Sequence, residues 1–208
     1  MKLYLVRHGQ SVMNAQRIHQ VPSAELSEQG LTQSRVLARR FQHIPIDLVL
    51  ASPFVRAQQT AEMIAKIVGK PVETKPELSE LKRPSVVEGR PMDEPAVVKI
   101  KASIEENAHD PSWRHSDEET FFDAKKRAEA FIESLDEVTD EHVLVVTHAH
   151  FIRMITCVMV FGDDLTPALH TSFVNAFAMH NTSITECEKK PEGQWRVLQW
   201  NNDGHLGA

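Results

Sequence analysis

Cysteine is almost absent from this 208-residue chain, with Cys157 and Cys187 its only two. Two thiols make no disulfide framework, and Cys157, inside an apolar stretch, reads as a small core residue. No hydrophobic run is long enough for a bilayer span: the longest, Phe151 to Phe161, falls short of the roughly 20 residues needed and contains Arg153. Positive charge is in deficit, with 23 Lys and Arg against 29 Asp and Glu for a net charge of −6. A basic nucleic-acid-binding surface is thereby excluded, and any attraction for an anion must be local. The opening apolar run is broken at once by Arg7 and His8, unlike a signal peptide, so a reducing, cytoplasmic setting is expected. Neither an internal repeat nor a low-complexity tract is present.

The remainder is ordinary for a globular protein, 41% hydrophobic and 25% charged. The length suits one domain over residues 1–208 with a full core. Strand and helix signals alternate, which argues for an α/β fold with a mostly parallel sheet between helical layers. Strands are expected near residues 2–7, 47–51, 72–74 and 143–147, and again at 173–179, 183–188 and 195–200. Helices are expected over residues 26–43, 54–68, 94–107, 118–138 and 149–161. Residues 82–117 differ in texture: Pro84, Pro91, Pro95 and Pro111 punctuate them. Such a segment reads as a cap-like insertion lying over a sheet.

Three of the apolar runs end in cationic or imidazole residues. Lys2-Leu3-Tyr4-Leu5-Val6 stops at Arg7-His8-Gly9, Asp47-Leu48-Val49-Leu50-Ala51 leads to Ser52-Pro53-Phe54-Val55-Arg56, and Val143-Leu144-Val145-Val146-Thr147 runs into His148-Ala149-His150. In a parallel sheet, neighbouring strand ends converge on one crevice. Arginine offers a planar fork of donors matched to phosphate oxygens, and histidine can serve as nucleophile, base or acid near neutral pH. Gly9 permits a close backbone approach.

Together these residues resemble the histidine phosphatase superfamily, the phosphoglycerate-mutase-like family. Arg7-His8-Gly9-Gln10-Ser11 with Asn14 is similar to its signature, and Leu26-Ser27-Glu28-Gln29-Gly30 with Gln33 to its next stretch. Ser52-Pro53 with Arg56-Ala57 and Thr60 resembles its second arginine motif, Val146-Thr147-His148-Ala149 its second histidine motif, and Asn181-Thr182-Ser183-Ile184 is a weaker echo. The resemblance implies a three-layer αβα sandwich with one antiparallel edge strand. It also implies His8 as nucleophile, Glu80 as general acid and base, and His148 as a cationic hydrogen-bond donor to phosphate. Arg7 and Arg56 then clamp the phosphate, with Asn14 and the Ala149 N–H as further donors. Ser11, Lys82 and Arg83 are assigned to substrate binding, and no cofactor or metal is required.

The expected activity is hydrolysis of a small phosphorylated metabolite through phosphohistidine. Alternatives are a phosphoglycerate mutase, a phosphoprotein phosphatase using Lys82, Arg83 and Arg90, or a noncatalytic phosphate-binding module. A metal held by His148 and His150 is disfavoured because no acidic cluster accompanies them; His150 is expected to face solvent. After Glu80 the chain departs from both the Arg-His-Tyr-Gly run of mutases and the Gly-x-Trp-Glu-Gly run of small-substrate phosphatases. Only Glu88-Gly89 survives, so the substrate is not encoded legibly. A homo-oligomer is compatible with the sequence.

Overall fold

In a computed structural model, described over residues 1–207, the chain forms one six-stranded sheet flanked by helices. The strands are β1 (Lys2–Arg7), β2 (Leu48–Ala51), β3 (Val72–Thr74), β4 (His142–Thr147), β5 (Ile184–Lys189) and β6 (Trp195–Asn202). The helices are α1 (Val12–Ala15), α2 (Glu28–Arg40), α3 (Val55–Val68), α4 (Pro95–Glu106), α5 (Phe121–Ser134), α6 (Ala149–Phe161) and α7 (Pro167–Ala176).

Sheet order is β3-β2-β4-β1-β5-β6, parallel through β1 and antiparallel at the last two pairings. β5 is therefore the one reversed strand, and β6 covers it. The expectation of a reversed strand at the very edge is corrected accordingly.

Alternation along the strands creates the layers, since successive side chains point to opposite faces. Leu3, Leu5, Leu50, Val143 and Val145 pack on one face with Phe131 of α5 and Phe151, Ile152 and Ile155 of α6. Tyr4, Val6, Val49, Ala51, Leu144 and Val146 pack on the other with Leu37 of α2 and Ala57, Ala61 and Ile64 of α3. Cys157 and Cys187 are unpaired and lie in the first of these clusters.

Helix ends follow local chemistry. The Ser27 hydroxyl accepts from the Gly30 N–H to cap α2, and α3 stops at left-handed Gly69. Thr120 and Asp123 form a reciprocal capping box on α5.

The expected strand over 173–179 is wrong: α7 occupies Pro167–Ala176, opened by the Thr166 hydroxyl and Pro at its first turn. Residues 82–117 contain α4 but no strand. Part of this segment is stitched to residues 17–19 by Gly89 N–H to His19 O at 2.9 Å, His19 N–H to Arg90 O at 2.9 Å and Met92 N–H to Arg17 O at 2.9 Å. No helix among the described residues is long and apolar enough to cross a membrane.

Candidate active site

β1, β2 and β4 are adjacent and parallel, so their C-terminal ends share one side of the sheet. That register brings Arg7 beside Thr147 and Ala51 beside Val146, and it sets the residues that follow each strand around one cavity of about 440 Å³. Arg7, His8, Asn14, Arg56, Glu80, Lys82, Arg83 and Ala149 all line it.

His8 is 1% exposed and Arg56 2% exposed. Arg56 Nε donates to His8 Nε2 at 3.2 Å, Nη2 lies 3.2 Å from His148 Nδ1, and Nη1 donates to Val21 O at 3.0 Å. Arg7 Nη1 donates to Met179 O at 2.5 Å, while its buried Nε has no partner. Burial, opposed by Glu80 and reinforced by the other cations, lowers both guanidinium groups from 12.5 to about 10. Both remain cationic at neutral pH, and Glu80 is the acid that offsets each of them.

Burial, then Arg56 and Arg7, pushes His8 well below 6.5, so the imidazole is neutral. His8 Nδ1 lies 2.7 Å from Gly9 O. A carbonyl can only accept, so Nδ1 carries the proton and Nε2 keeps its lone pair.

His148 departs from expectation. It is fully buried, and burial, Arg56, His8 and Arg7 hold it well below 6.5. Its Nε2 lies 2.7 Å from Ser52 Oγ and its Nδ1 faces Arg56. A guanidinium only donates, so Nδ1 accepts and the ring is neutral. In the protein alone, His148 therefore orients Arg56 instead of presenting a cation to the cavity, and both histidines share one protonation state.

Glu80 is held by α6. Its Oε1 accepts from Phe151 N–H at 3.1 Å and Leu81 N–H at 3.0 Å, and its Oε2 from His150 N–H at 3.3 Å. The His150 and Phe151 N–H groups are orphan donors of the first helical turn filled from another segment, and Ala149 in the same turn lines the cavity.

Other assignments change. Ser11 is fully buried; its hydroxyl donates to Gln20 Oε1 at 2.5 Å and accepts from Asn14 N–H at 2.9 Å. It builds the loop and does not line the cavity. The close approach at Gly9 is made by the protein itself, since a Cβ there would lie 2.6 Å from Ser34 Oγ and 2.7 Å from Gly30 O. Thr60 and Gln33 accept from Gly9 and Gln10 N–H at 3.1 and 3.0 Å, so these motif residues brace the same loop. Arg90 pairs with Glu94 away from the cavity. His150 lines the cavity instead of facing solvent, with Nε2 2.8 Å from Arg83 Nη2. His205 is half-buried, its Nε2 3.3 Å from Thr182 Oγ1. Among the described residues no group of three or more His, Cys, Asp and Glu is arranged to hold a metal.

The weak echo at 181–183 has a defined place. Thr182 N–H reaches Arg7 O at 3.0 Å, Asn181 Nδ2 donates to His8 O at 3.0 Å, and Arg7 N–H donates to Ser183 O at 3.2 Å. Thr182 holds a left-handed φ of 60° to do so. The signal was in the sequence, but its partner was not. Phe54, His19, Gln20, Pro22, Val87 and Met92 also line the cavity without having carried any motif signal.

The family model of the histidine phosphatase superfamily (branch 1) matches residues 3–203. The chain belongs to that superfamily. A protein named probable phosphoglycerate mutase from Yersinia pestis is 38% identical over 94 residues, which span 45% of this chain and 43% of that protein. The match thus covers under half the length of that curated relative. Among solved structures, a phosphoserine phosphatase from Entamoeba histolytica superposes with TM-score 0.81 at 22% identity, covering 99% of this chain and 98% of that one. A mycobacterial glucosyl-3-phosphoglycerate phosphatase gives 0.79 at 23%, covering 96% and 98%. At these identities the likeness establishes the histidine phosphatase fold.

Proposed function

We propose that this member of the superfamily is a phosphomonoesterase acting on a small phosphorylated metabolite, metal-independent and working through a phosphohistidine on His8. The observation that carries the reading is the neutral His8 ring, its Nδ1 tied to Gly9 O at 2.7 Å and its Nε2 lone pair directed at Arg56, 3.2 Å away. A phosphate dianion entering between Arg7 and Arg56 meets two cations and a nucleophilic nitrogen at once.

In the first step Nε2 attacks phosphorus, the N–P bond forms, and the bond to the leaving oxygen breaks as the Glu80 carboxyl delivers a proton to that oxygen. In the second step Glu80 takes a proton from water, the hydroxyl adds to phosphorus, and the N–P bond breaks. Arg7, Arg56 and the Ala149 N–H hold the nonbridging oxygens throughout, the electrostatic stabilisation on which phosphoryl transfer chiefly depends. Asn14, which lines the cavity, adds a side-chain donor in this reading. His148 and Ser52 keep Arg56 in register. Two unpaired buried thiols suit a reducing, cytoplasmic setting.

The similarity to a probable phosphoglycerate mutase favours a second reading, in which the phosphoryl group returns to substrate instead of water. Incubating the protein with 3-phosphoglycerate and a trace of 2,3-bisphosphoglycerate separates the two. Net phosphate release, insensitive to chelator, is expected; isomerisation without release would establish the mutase reading, and loss of activity with chelator would end the metal-free one.

A further inference from the structure

Residues 80–84 belong to no helix or strand, so no sheet ladder fixes the backbone that carries Glu80. Side chains fix it instead. The Thr147 hydroxyl donates to Leu78 O at 2.6 Å, and Arg127 Nη1 donates to Glu77 O at 2.6 Å and to Ser79 O at 2.9 Å. Three successive carbonyls ahead of Glu80 are thereby taken. Past Glu80 the tie is Glu119, whose N–H donates to Lys82 O at 2.9 Å and whose Oε2 accepts from Lys82 N–H at 3.3 Å. Arg127 Nε and Nη2 donate in parallel to Glu119 Oε1 and Oε2 at 2.8 and 2.7 Å. One ion pair thus grips the chain on both sides of Glu80.

The same guanidinium also reaches the support of the carboxylate. It packs over the Phe151 ring, 4.0 Å from the centroid, and Phe151 N–H is the donor that meets Glu80 Oε1 at 3.1 Å. The Arg127 and Glu119 side chains are only 21% and 13% exposed, so water screens the pair less than a surface salt bridge. Neither lines the cavity that holds Arg7, His8 and Arg56; with Ser79 and Glu80 they line a separate one of about 350 Å³. Removing the pair therefore takes away no group that a phosphate in the first cavity would touch.

We propose that Arg127, locked by Glu119, is a positioning residue for Glu80: it sets where the carboxyl stands relative to the leaving oxygen. The inference rests on the phosphomonoesterase reading with Glu80 as acid. Lysine cannot replace the fork, since one nitrogen cannot serve Glu77 O, Ser79 O and both Glu119 oxygens together. General acid catalysis contributes about 10²–10⁴ in rate, and a misplacement of about 1 Å can cost 10². The loss should fall on protonation of the leaving group and spare the binding of phosphate.

The test compares two esters by kcat/KM, which covers the steps up to transfer onto His8. Glycerol 3-phosphate expels an alkoxide that needs the proton, whereas p-nitrophenyl phosphate expels a phenolate that leaves without one. Arg127→Met is expected to lower kcat/KM for the alkyl ester at least about tenfold more than for the aryl ester. Arg127→Lys should shift the ratio in the same direction, and it carries the test should Arg127→Met fail to fold. Glu80→Gln is the reference for a lost acid, and adding Arg127→Met to it should change the ratio no further.

If Glu80→Gln is selective while the Arg127 variants lower both esters alike or neither, Arg127 is a structural tie and the inference falls alone. If Glu80→Gln itself lowers both alike, Glu80 is not the acid and the inference falls with that assignment. Hydrolysis of neither ester by wild type would overturn the hydrolase reading and the inference together.

Discussion

Arg56→Met removes a deeply buried charge of the site while keeping an unbranched side chain that reaches as far as the Nε position. Its effect on stability is the difference of two opposing contributions. Lowering the guanidinium from 12.5 to about 10 means that the fold holds this charge at a cost of roughly 3 kcal/mol, fully present at neutral pH because that lies below both values. Against it stand three hydrogen bonds, to His8, His148 and Val21, of about 1 kcal/mol each. The two nearly cancel, so urea unfolding should place Arg56→Met within about 1–2 kcal/mol of wild type. Activity has no such compensation. Losing one preorganised donor to a developing oxyanion costs about 10²–10³ in rate, and Arg56 is placed to supply more than one. Steady-state hydrolysis of a phosphomonoester should therefore fall at least about 10³-fold with the fold intact. A variant destabilised by more than about 4 kcal/mol would show that the arginine is chiefly a structural tie. A variant within tenfold of wild-type activity would refute the clamp.

Other perturbations test other parts of the account. Burial keeps His8, His148, His150 and His170 deprotonated in the fold, with His170 lowered to about 4. The unfolded chain takes up these protons first, so stability should fall as pH drops below 6.5; His170 alone contributes about 1.4 kcal/mol per pH unit down to about 4, and denaturant midpoints unchanged between pH 7.5 and 5 would contradict this. Gly30→Ala places a Cβ against the Gln10 carbonyl, and thermal unfolding should show a loss of about 3 kcal/mol or more, with wild-type stability arguing against the tight loop–helix contact. Asn181→Ala frees the His8 carbonyl and should lower kcat roughly tenfold with little change in KM, whereas a KM effect alone would remove Asn181 from positioning the nucleophile.

Much of the architecture was legible because the strands advertise themselves twice, by apolar alternation and by the polar residue at which each stops. Arg7, His8 and Arg56 each lie just past such a stop, and a parallel sheet leaves them nowhere else to meet. What could not be read was the partner of each side chain. Ser11 carries a motif position yet spends its hydroxyl on Gln20 and Asn14, and Gly9 is small because α2 presses on it. Protonation was illegible for the same reason: His148 is neutral because burial and Arg56 oppose its charge, and neither is local in sequence. The segment at 173–179 has aromatic, alternating residues that suit a strand, but Thr166 and Pro167, seven and six residues earlier, start a helix that runs into it as far as Ala176. The place of His150 on the cavity wall is not legible in the sequence because its partner, Arg83, is 67 positions away.

The central claim is that phosphate passes through His8, and the most direct measurement is to quench the protein during turnover of a radiolabelled phosphomonoester and locate the label. The account predicts protein-bound phosphate that is labile in acid and stable in alkali, mapping to the peptide containing His8 and absent in His8→Ala. Steady phosphate release with no labelled His8 under quench conditions that preserve N–P bonds, or undiminished release from His8→Ala, would contradict it.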